Sequence, residues 1–372
     1  MLKVLHVIWS VRYGGKEKLV YELALSQDKY TEISVKLLIC KKNGEFLDKF
    51  QCSSLHCNFM QISSGFDTSP WKYIKIYRIF CENDIIHFHH FNPLIALIAI
   101  ISRKKLLYSF HGKVRLRERC KIKDNLKLIF LKRFLNSSID YISFNSEFTK
   151  NHAEKMFGLK SVKKSIIYNG LDFQSRLNKS CENNELMLST INDKFVIGTV
   201  SRFISNKRMD LLIEAFSQFN ENKNTELLII GDGILRQDLE KKVQKLKLQN
   251  KVIFTGYKQN IMKYQKLMDV CVFPSKDEGF GLVALEALSL GKPTIVFKDG
   301  GGLAEIVGEL SKSDVVNDTY CLQKRLEYYF KNRTEIFKNR ERRIAHAKNF
   351  DISKTARQFY LIYEKLMTPD KL

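Results

Sequence analysis

The chain contains two glutamates, Glu278 and Glu286, whose spacing and surroundings suit the binding of a sugar or a nucleotide. The apolar run 269–273 predicts a buried strand, and the Leu- and Ala-rich stretch from Leu282 onward predicts a helix. Such a strand–turn–helix unit directs backbone N–H groups and the positive end of the helix beyond the carboxyl edge of a sheet, where phosphate binds well. Both carboxylates could then accept hydrogen bonds from the paired hydroxyls of a ribose or a hexose.

The same segment resembles the E-x7-E signature of the family 4 glycosyltransferases, which are retaining enzymes with the two-domain GT-B fold. The resemblance implies that Glu278 contacts the sugar or the phosphate side of a donor and that Glu286 contacts its ribose. It also makes the residues of the turn and the helix start candidates for substrate binding: Gly279, Phe280, Gly281 and Leu282. For the spacing alone, a second interpretation is that Glu278 is a loop glutamate and Glu286 a surface helix glutamate, and that both only help to cap the helix.

Arg202 and Lys207 follow the predicted strand 195–201 and precede another predicted helix. Arginine can bind a diphosphate in a bidentate manner, and lysine can bind it as a point charge. One such donor can stabilise the charge that develops on a leaving group by about 3 kcal/mol. Family 4 enzymes carry this Arg-x4-Lys pair before a Gly-Asp-Gly element, seen here at 231–233, so the resemblance gives both residues binding and catalytic roles. The alternative is two loop charges at a helix start.

In the first half of the chain, Gly14 and Gly15 lie in the first predicted strand-to-helix turn, where glycine permits close approach to a phosphate or a sugar. His111 ends the predicted strand 106–110 and resembles the His-Gly element of the family, whose imidazole contacts the donor sugar. The resemblance therefore makes His111 a catalytic candidate, beside the alternative of a structural histidine. Neither a G-x-G-x-x-G fingerprint nor a phosphate-binding P-loop occurs in the sequence.

The histidines of the segment 84–90 resemble a metal cluster at first sight. Alternation along a strand, however, places His87 and His89 on one face and His90 on the other, and no carboxylate or cysteine pattern completes a site. The family has a similar element beside the acceptor, so Asp84, His87 and His89 are expected to border an acceptor pocket. We expect no metal and no cofactor, and the 8 cysteines, none in a C-x2-C pair, are expected to be reduced.

Apolar strands alternate with helical segments in both halves of the chain, which predicts parallel sheets covered on both faces. Helical patterns include 16–27, and a polar stretch at 174–193 separates the halves. In the first half the predicted strands are 4–9, 34–40, 85–89, 106–110, 141–145 and 165–168. In the second half they are 195–201, 227–230, 252–256, 270–274 and 294–297.

The fold class is therefore α/β, with two doubly wound Rossmann-like domains facing each other across a cleft. Residues 1–173 are expected to form an acceptor-binding domain, 174–193 a linker, and 194–349 a domain that binds the nucleotide-sugar donor. In the GT-B resemblance, residues 350–372 form a C-terminal helix that crosses back to pack on the first domain. The longest apolar run, 94–101, is much shorter than the about 20 residues that cross a bilayer, and we expect no secretory signal.

The net charge of +22 is concentrated in the first half, where residues 1–180 hold 31 Lys and Arg against 15 Asp and Glu. The densest basic segment spans 113–133 and is interleaved with apolar residues at helical spacing. Such a segment could lie on an anionic membrane, where each basic residue contributes about 1 kcal/mol. A solvated basic helix and a nucleic-acid surface are the alternatives, although no nucleic-acid-binding motif accompanies the charge.

These features together predict a retaining, metal-independent glycosyltransferase. It would transfer a sugar from a nucleotide-diphosphate donor to a glycan or a polyprenyl-diphosphate-linked acceptor. The setting would be capsule, O-antigen or lipopolysaccharide synthesis at the inner face of the cytoplasmic membrane of a bacterium. Two alternatives remain: a GT-B sugar-nucleotide epimerase or sugar-phosphate synthase, and a non-catalytic basic protein that binds membrane or nucleic acid.

Overall fold

The computed structural model describes residues 1–12, 14–62, 67, 69–114, 121–160, 162–173, 193–221 and 223–368, without the side chains of 121–124. The expected linker, except for its last residue, lies outside this part of the chain, and so do Arg115, Arg117 and Arg119 of the basic segment. Two compact units are present: Met1–Asp172 together with Phe350–Leu372, and Phe173–Asn349.

The first unit contains a parallel sheet, which among the described residues has the strand order β3-β2-β1-β4-β5-β6-β7. Its strands are β1 (Leu2–Ser10), β2 (Ile33–Lys41), β3 (His56–Phe59), β4 (Ile85–Phe88), β5 (Lys105–Phe110), β6 (Tyr141–Phe144) and β7 (Lys163–Ile166). Its helices are α1 (Gly15–Gln27), α2 (Leu47–Gln51), α3 (Pro70–Cys81), α4 (Pro93–Ser102), α5 (Lys121–Ser137), α6 (Glu147–Phe157) and the C-terminal α15 (Ile352–Met367).

The two faces of this sheet differ in chemistry because alternate residues of each strand point to opposite sides. One face carries apolar side chains such as Leu5, Phe88 and Phe110, which pack with apolar residues of α3, α4 and α5. The other face carries buried polar side chains from β1, β4, β5 and β6, and on this side Gln27 of α1 and Tyr363 of α15 hydrogen bond with them. Helix α15 packs directly on α1.

The second unit contains another parallel sheet, with the order β10-β9-β8-β11-β12-β13 among the described residues. Its strands are β8 (Phe195–Val200), β9 (Thr225–Ile230), β10 (Val252–Phe254), β11 (Val270–Phe273), β12 (Thr294–Phe297) and β13 (Val315–Val316). Its helices are α7 (Met209–Phe219), α8 (Arg236–Lys245), α9 (Ile261–Gln265), α10 (Leu282–Ser289), α11 (Gly302–Leu310), α12 (Thr319–Lys331), α13 (Arg333–Lys338) and α14 (Arg340–Lys348).

Both sheets are doubly wound, so the strand order reverses once in each of them. The reversal lies between β1 and β4 in the first unit and between β8 and β11 in the second. Ligands of open α/β sheets bind outside the carboxyl ends of the strands at such a switch point. The loops that follow these four strands are therefore where the functional residues of each unit are expected.

The central strands agree with the sequence prediction because they are buried on both faces and need continuous apolar runs. The short edge strands β3 and β13 were not predicted, since they have 4 and 2 residues and lack such a run. Strand β7 begins two residues earlier than predicted, at Lys163. None of the helices described is long and apolar enough to span a bilayer.

Candidate active site

In the second unit, the predicted binding residues come from the loops after β8 and β11, which flank the switch point. Arg202 and Lys207 follow β8, whereas Glu278 and the turn from Gly279 to Gly281 follow β11. A third loop, after β12, contributes three consecutive glycines at 300–302. The doubly wound topology therefore brings together segments that are some 100 residues apart in the chain.

Arg202 is held in place by the backbone on either side of it. The N–H of Ser201 donates to the carbonyl of Ile230 (2.9 Å), and the N–H of Phe203 donates to the carbonyl of Asp232 (2.9 Å). Gly231 has φ +131, and a Cβ there would lie 1.8 Å from the carbonyl oxygen of Ser201, so this close approach requires glycine. The Arg202 side chain is exposed, and the described residues offer it no ion-pair partner.

Lys207 forms an ion pair with Glu278. It ends a short 3₁₀ helix, Ser205–Lys207, which brings its ammonium group across to the loop after β11. The two side chains are only 15% and 21% exposed, so the pair is largely shielded from water. Lys207 was predicted to bind the diphosphate and Glu278 the sugar or the phosphate side of the donor, and the two side chains are direct neighbours.

The glycine loop after β12 fixes the backbone of Glu278. The N–H of Glu278 donates to the carbonyl of Gly300 (3.1 Å), and the N–H of Gly302 donates to the carbonyl of Glu278 (2.9 Å). These two bonds form a short parallel bridge between Glu278 and Gly301. The glycine loop therefore holds the backbone of Glu278 in a defined position beside the switch point.

Gly281 caps helix α10 in the left-handed conformation, with φ +94. A Cβ at this position would lie 2.4 Å from Cδ1 of Leu303, so both the backbone conformation and the close packing require glycine. Phe280 is buried beside it, and Leu282 begins the helix. The first-turn N–H groups of α10 therefore have a defined direction at the switch point.

Glu286 is the fifth residue of α10 and is only 2% exposed. The sequence placed it about one turn into the helix, which agrees with the observed start at Leu282. A carboxylate this deeply buried is unusual, because burial of a charge is costly unless partners compensate it. Its burial also excludes the interpretation of Glu286 as a surface glutamate.

Arg208 is a further residue of this site that the sequence analysis did not single out. Its guanidinium forms a bidentate pair with Asp299 (2.5 and 2.9 Å) and donates from Nε to the carbonyl of Pro274 (2.7 Å). It therefore ties the loop after β8 to the loops after β11 and β12. In the sequence, only its position directly after Lys207 pointed to a role in the site. Its partners Pro274 and Asp299 are distant in sequence, so the contacts themselves could not be predicted.

In the first unit, Gly14 and Gly15 form the start of α1 at the other switch point. The carboxylate of Glu17 lies against Gly14, where an added Cβ would be 2.7 Å from its Oε2. Lys16 pairs with the same carboxylate at 3.3 Å and is 26% exposed. The turn therefore carries a lysine that the sequence analysis did not assign.

His111 lies at the end of a chain of hydrogen bonds across the polar face of the first sheet. Its Nε2 is 2.8 Å from Nδ1 of His89, whose Nε2 is 2.8 Å from Nδ1 of His6. The Nε2–H of His6 in turn donates to Oε1 of Gln27 (2.8 Å). Sequence motifs indicated His111 and His89 separately but not His6 or Gln27, because the contribution of these two depends on the pairing of β1 with β4 and on the packing of α1 on the sheet.

A second branch of this network lies beside the first. His87 contacts the hydroxyl of Tyr363 through Nδ1 (2.6 Å) and the hydroxyl of Ser109 through Nε2 (2.6 Å). Ser109 continues to Ser143 at 2.5 Å. Tyr363 belongs to the C-terminal helix, so the predicted return of that helix to the first unit completes a buried polar layer.

Burial keeps these imidazoles neutral. It lowers the pKa of His6 to about 4 and the pKa of His111 to about 3, the latter with help from the nearby Lys16 ammonium. The pKa values of His87 and His89 are also well below the ordinary value, first through burial and then through their neighbouring histidines. The groups are therefore uncharged at neutral pH.

One ring nitrogen from each of His6, His87 and His89 lies within 4.8 Å of the other two, so the three imidazoles form a candidate metal-binding group. Each of these imidazoles, however, makes the hydrogen bonds just described. His87 and His89 lie on one face, as the alternation predicts, with ring centroids 4.1 Å apart. Asp84 lies at the amino end of β4, away from the carboxyl edge that carries His111, and does not join them.

Comparison with known proteins identifies the chain. The model of the family "Glycosyltransferase Family 4" matches residues 13–175, and the model "Glycosyl transferases group 1" matches residues 188–350. The chain belongs to the group 1, family 4 glycosyltransferases. Its fold is the GT-B fold, which confirms the prediction from the sequence, including the C-terminal helix that returns to the first unit.

Individual relatives of this family differ in how much of the chain they match. An uncharacterised glycosyltransferase of Methanocaldococcus jannaschii is 32% identical over 60% of this chain and 60% of its own length. A Campylobacter jejuni transferase that adds N-acetylgalactosamine to a diphospho-undecaprenol-linked sugar is 25% identical over 81% of this chain and 82% of its own. The HepE protein of Anabaena, crystallised with UDP, superimposes with a TM-score of 0.82 at 19% identity, over 98% of this chain and 100% of HepE.

Proposed function

We propose that this protein is a retaining glycosyltransferase that transfers a sugar from a nucleotide-diphosphate donor to a glycan or a polyprenyl-diphosphate-linked glycan. The observation that carries the proposal is the arrangement at the switch point of the second sheet. There an exposed arginine, a lysine–glutamate pair and a helix N-terminus come from loops that neighbour one another. The acceptor of the Campylobacter relative supports a lipid-linked glycan.

In this proposal the second unit binds the donor. Arg202 and Lys207 bind the diphosphate, and they stabilise the negative charge that the nucleoside diphosphate gains as it leaves. Glu278 binds the sugar hydroxyls, and Glu286 binds the ribose. The backbone of the turn 279–282 assists through its N–H groups at the start of α10.

From the first unit we assign Gly14, Gly15 and His111 to the same reaction, on the basis of the family resemblance. His111 would contact the donor sugar, and the backbone of the two glycines would approach the diphosphate. Because these imidazoles are neutral, His111 binds a hydroxyl without introducing charge. The first unit is proposed to bind the acceptor, as expected for a domain whose motifs are sparse.

The proposed reaction breaks the bond between the anomeric carbon and the diphosphate oxygen and forms a bond to an acceptor hydroxyl. The acceptor proton passes to the leaving phosphate on the same face of the sugar, so the anomeric configuration is retained. The cations Arg202 and Lys207 and the helix N-terminus neutralise the leaving group, and for this reason we propose that no metal is required. The configuration of the product, determined by NMR, tests retention, and an inverted product would contradict it.

The nucleotide specificity is tested by thermal unfolding of the full chain with UDP, GDP, ADP and CMP and their common sugars, with and without EDTA. A ligand at 100 times its dissociation constant stabilises by about 2.7 kcal/mol. We expect a shift with one base, insensitive to EDTA and lost in Glu286→Ala. A shift that EDTA abolishes would contradict the metal-independent site, and the absence of any shift would favour a basic binding protein instead.

Product analysis with the selected donor separates transfer from the other GT-B reactions. Transfer to a lipid-linked acceptor prepared from membranes would support the proposal. Formation of an epimerised nucleotide sugar, or of a sugar phosphate from a small soluble acceptor, would replace it with the epimerase or synthase alternative. The same assay with Glu278→Ala and His111→Asn tests the two residues assigned to the sugar.

We also propose that the first unit associates with an anionic membrane surface. Large apolar side chains are exposed on three neighbouring helices, α3, α4 and α5, including Trp71 (78%), Leu126 (63%) and Ile129 (66%). The same helices expose basic residues: Lys75, Arg78, Lys132 and Arg133. Apolar residues flanked by basic ones are typical of a face that binds anionic lipid.

Sedimentation with phosphatidylglycerol-containing vesicles tests this surface, with pure phosphatidylcholine vesicles as the comparison. We expect binding that salt weakens and that the double variant Leu126→Ser, Ile129→Ser loses. Leu361→Ser is the matched control, because Leu361 is 49% exposed on α15, which packs on the opposite side of the sheet. Equal loss in the control, or equal binding to neutral vesicles, would contradict the proposal.

A further inference from the structure

The hydrogen bonds from Gln27 to His111 form one continuous chain. His6 and His89 use both of their ring nitrogens in it, whereas His111, at the end of the chain, uses only Nε2. Gln27, His6 and His89 are at most 4% exposed. The three links are each 2.8 Å long. Water does not reach the interior of this chain, so each member depends on its neighbours for its hydrogen bonds.

The amide of Gln27 determines the direction of the chain. Its Oε1 can only accept, so His6 donates from Nε2–H. A neutral imidazole carries a single N–H, so Nδ1 of His6 accepts and His89 donates from Nε2–H. The same argument at His89 makes His111 donate from Nε2–H, which leaves Nδ1 of His111 as a bare acceptor.

The other branch of the network supports this orientation of the amide. The Nε2 group of Gln27 donates to the hydroxyl of Tyr363 (3.4 Å), and Tyr363 can then donate to Nδ1 of His87 (2.6 Å). His87 donates from Nε2–H to Ser109. Rotation of the Gln27 amide by 180° would reverse every donor from His6 to His111, so that His111 would present an N–H instead.

The acceptor at the end of the chain is unused. Nδ1 of His111 is buried and has no hydrogen-bond partner among the described residues. A buried acceptor without a donor is costly, and such atoms in folded proteins usually have a partner. A hydroxyl group that donates to this nitrogen would satisfy it.

We propose that Gln27, His6 and His89 are positioning residues that fix the tautomer of His111, so that His111 binds the donor sugar by accepting a hydrogen bond from one of its hydroxyls. The part that concerns the sugar rests on the function proposed above, whereas the tautomer does not. The proposal assigns a role to three buried side chains that do not themselves contact the substrate. It also states which kind of group His111 recognises, namely a hydroxyl that donates.

The tautomer is measured directly by ¹⁵N NMR of the full chain labelled at histidine, near pH 7.5 and without nucleotide. Comparison with His111→Asn identifies the signals of His111. We expect Nε2 of His111 to carry the proton and Nδ1 to be unprotonated, with at least a roughly tenfold preference, because the reverse order leaves buried groups unsatisfied. A proton on Nδ1 of His111 in the unmodified protein would overturn the proposal without any variant.

Gln27→Met tests the origin of the preference, since methionine has a similar volume but does not accept the proton of His6. We expect both tautomers of His111 to be present in this variant and kcat for transfer to fall roughly tenfold. Gln27→Glu keeps the acceptor and should keep the tautomer. Ser143→Ala is the matched control, because it removes a buried hydrogen bond of the other branch and should leave His111 unchanged.

We call the chain of hydrogen bonds from Gln27 through His6 and His89 to His111 the relay. An unchanged tautomer of His111 in Gln27→Met, or the same change of tautomer in Ser143→Ala, would show that the relay does not set the tautomer. The assigned contact with the sugar is tested separately by a donor whose hydroxyls are replaced one at a time by fluorine, which can accept but not donate. Loss of binding for one position in the unmodified protein, with no such loss at that position in His111→Asn, supports a hydroxyl that donates to His111 and not to Glu278. If His111→Asn retains full turnover while the tautomer is as expected, the relay stands and the role of His111 in the proposed function fails.

Discussion

Replacement of Glu278 by glutamine is expected to separate nucleotide binding from sugar transfer. The carboxylate of Glu278 pairs with the ammonium of Lys207, and the two side chains are 21% and 15% exposed. A neutral amide no longer competes for the charge of Lys207, which becomes available to a diphosphate. The sugar, in contrast, loses the carboxylate proposed to bind its hydroxyls, so turnover falls.

The size of the gain follows from the ion pair that is removed. A hydrogen bond between charged groups contributes about 1.5 to 3 kcal/mol when it is shielded from water. A diphosphate that binds Lys207 in the unmodified protein must share or displace this bond, whereas in the variant it does not. If half of the larger value is recovered, the nucleoside diphosphate binds more tightly by about 1.5 kcal/mol, which is roughly tenfold.

Calorimetric titration with the nucleoside diphosphate that stabilises the protein measures this change. Asp299→Asn is the matched control. This substitution also removes one carboxylate charge, from a neighbouring loop, but Asp299 pairs with Arg208 and not with Lys207. We expect less than a twofold gain in the control. Weaker binding by Glu278→Gln, or an equal gain in Asp299→Asn, would refute the role of the Lys207–Glu278 pair in diphosphate binding.

Three other predictions concern the two units separately. Arg202→Ala should weaken nucleoside diphosphate binding and turnover at least tenfold. Because the side chain is exposed, the free energy of unfolding should change by less than about 0.5 kcal/mol. Arg357→Ala, which also removes an exposed arginine, is the control and should change neither binding nor turnover. Gly281→Ala should lower the free energy of unfolding, measured in urea, by about 2 to 3 kcal/mol, because of the left-handed backbone and the contact with Leu303. Gly158→Ala should lower it by only about 1 kcal/mol, because Gly158 has φ +65 but an added Cβ there would meet open space. Equal losses in the two variants would contradict the packing argument. Burial depresses the pKa of His6 to about 4 and the pKa values of His90 and His111 to about 3, so the unfolded chain takes up more protons than the folded one below pH 6.5. Each of these three histidines should therefore contribute a loss of stability of up to about 1.4 kcal/mol per pH unit from pH 6.5 toward pH 4. Stability independent of pH between 7 and 5 would show that they are not buried and neutral.

Much of the fold was predictable because its central strands are buried on both faces. Strands such as β8 and β11 consist almost entirely of buried apolar residues, and the helices between them leave one topology class for the sheet. Strands β3 and β13 escaped prediction because these two edge strands are short and lack a continuous apolar run. The residues at the strand ends, such as Arg202 and His111, were found because their local motifs survive in the linear sequence.

The partners of these residues were not predictable, since they depend on contacts between distant segments. The pairing of Lys207 with Glu278 joins loops 71 residues apart, and the hydrogen bond of Gln27 with Tyr363 joins α1 to the C-terminal helix across 336 residues. His6 looked like an ordinary strand residue, because nothing in the segment 1–10 indicates that its face of the sheet is polar. Only the neighbouring strands and α15 decide that.

The sequence by itself determined the family, the two parallel sheets and the residue types at the carboxyl edges of their strands, because apolar periodicity and short motifs are local properties. Tertiary structure alone decided that Glu286 is buried, that Lys207 is paired, and that His111 ends a relay from Gln27. Strand order and helix packing set which side chains meet, and a hydrogen bond of 2.8 Å exists only after both have formed. For this reason the chemistry available at each site followed from the sequence, while the protonation and pairing of its groups followed from the fold.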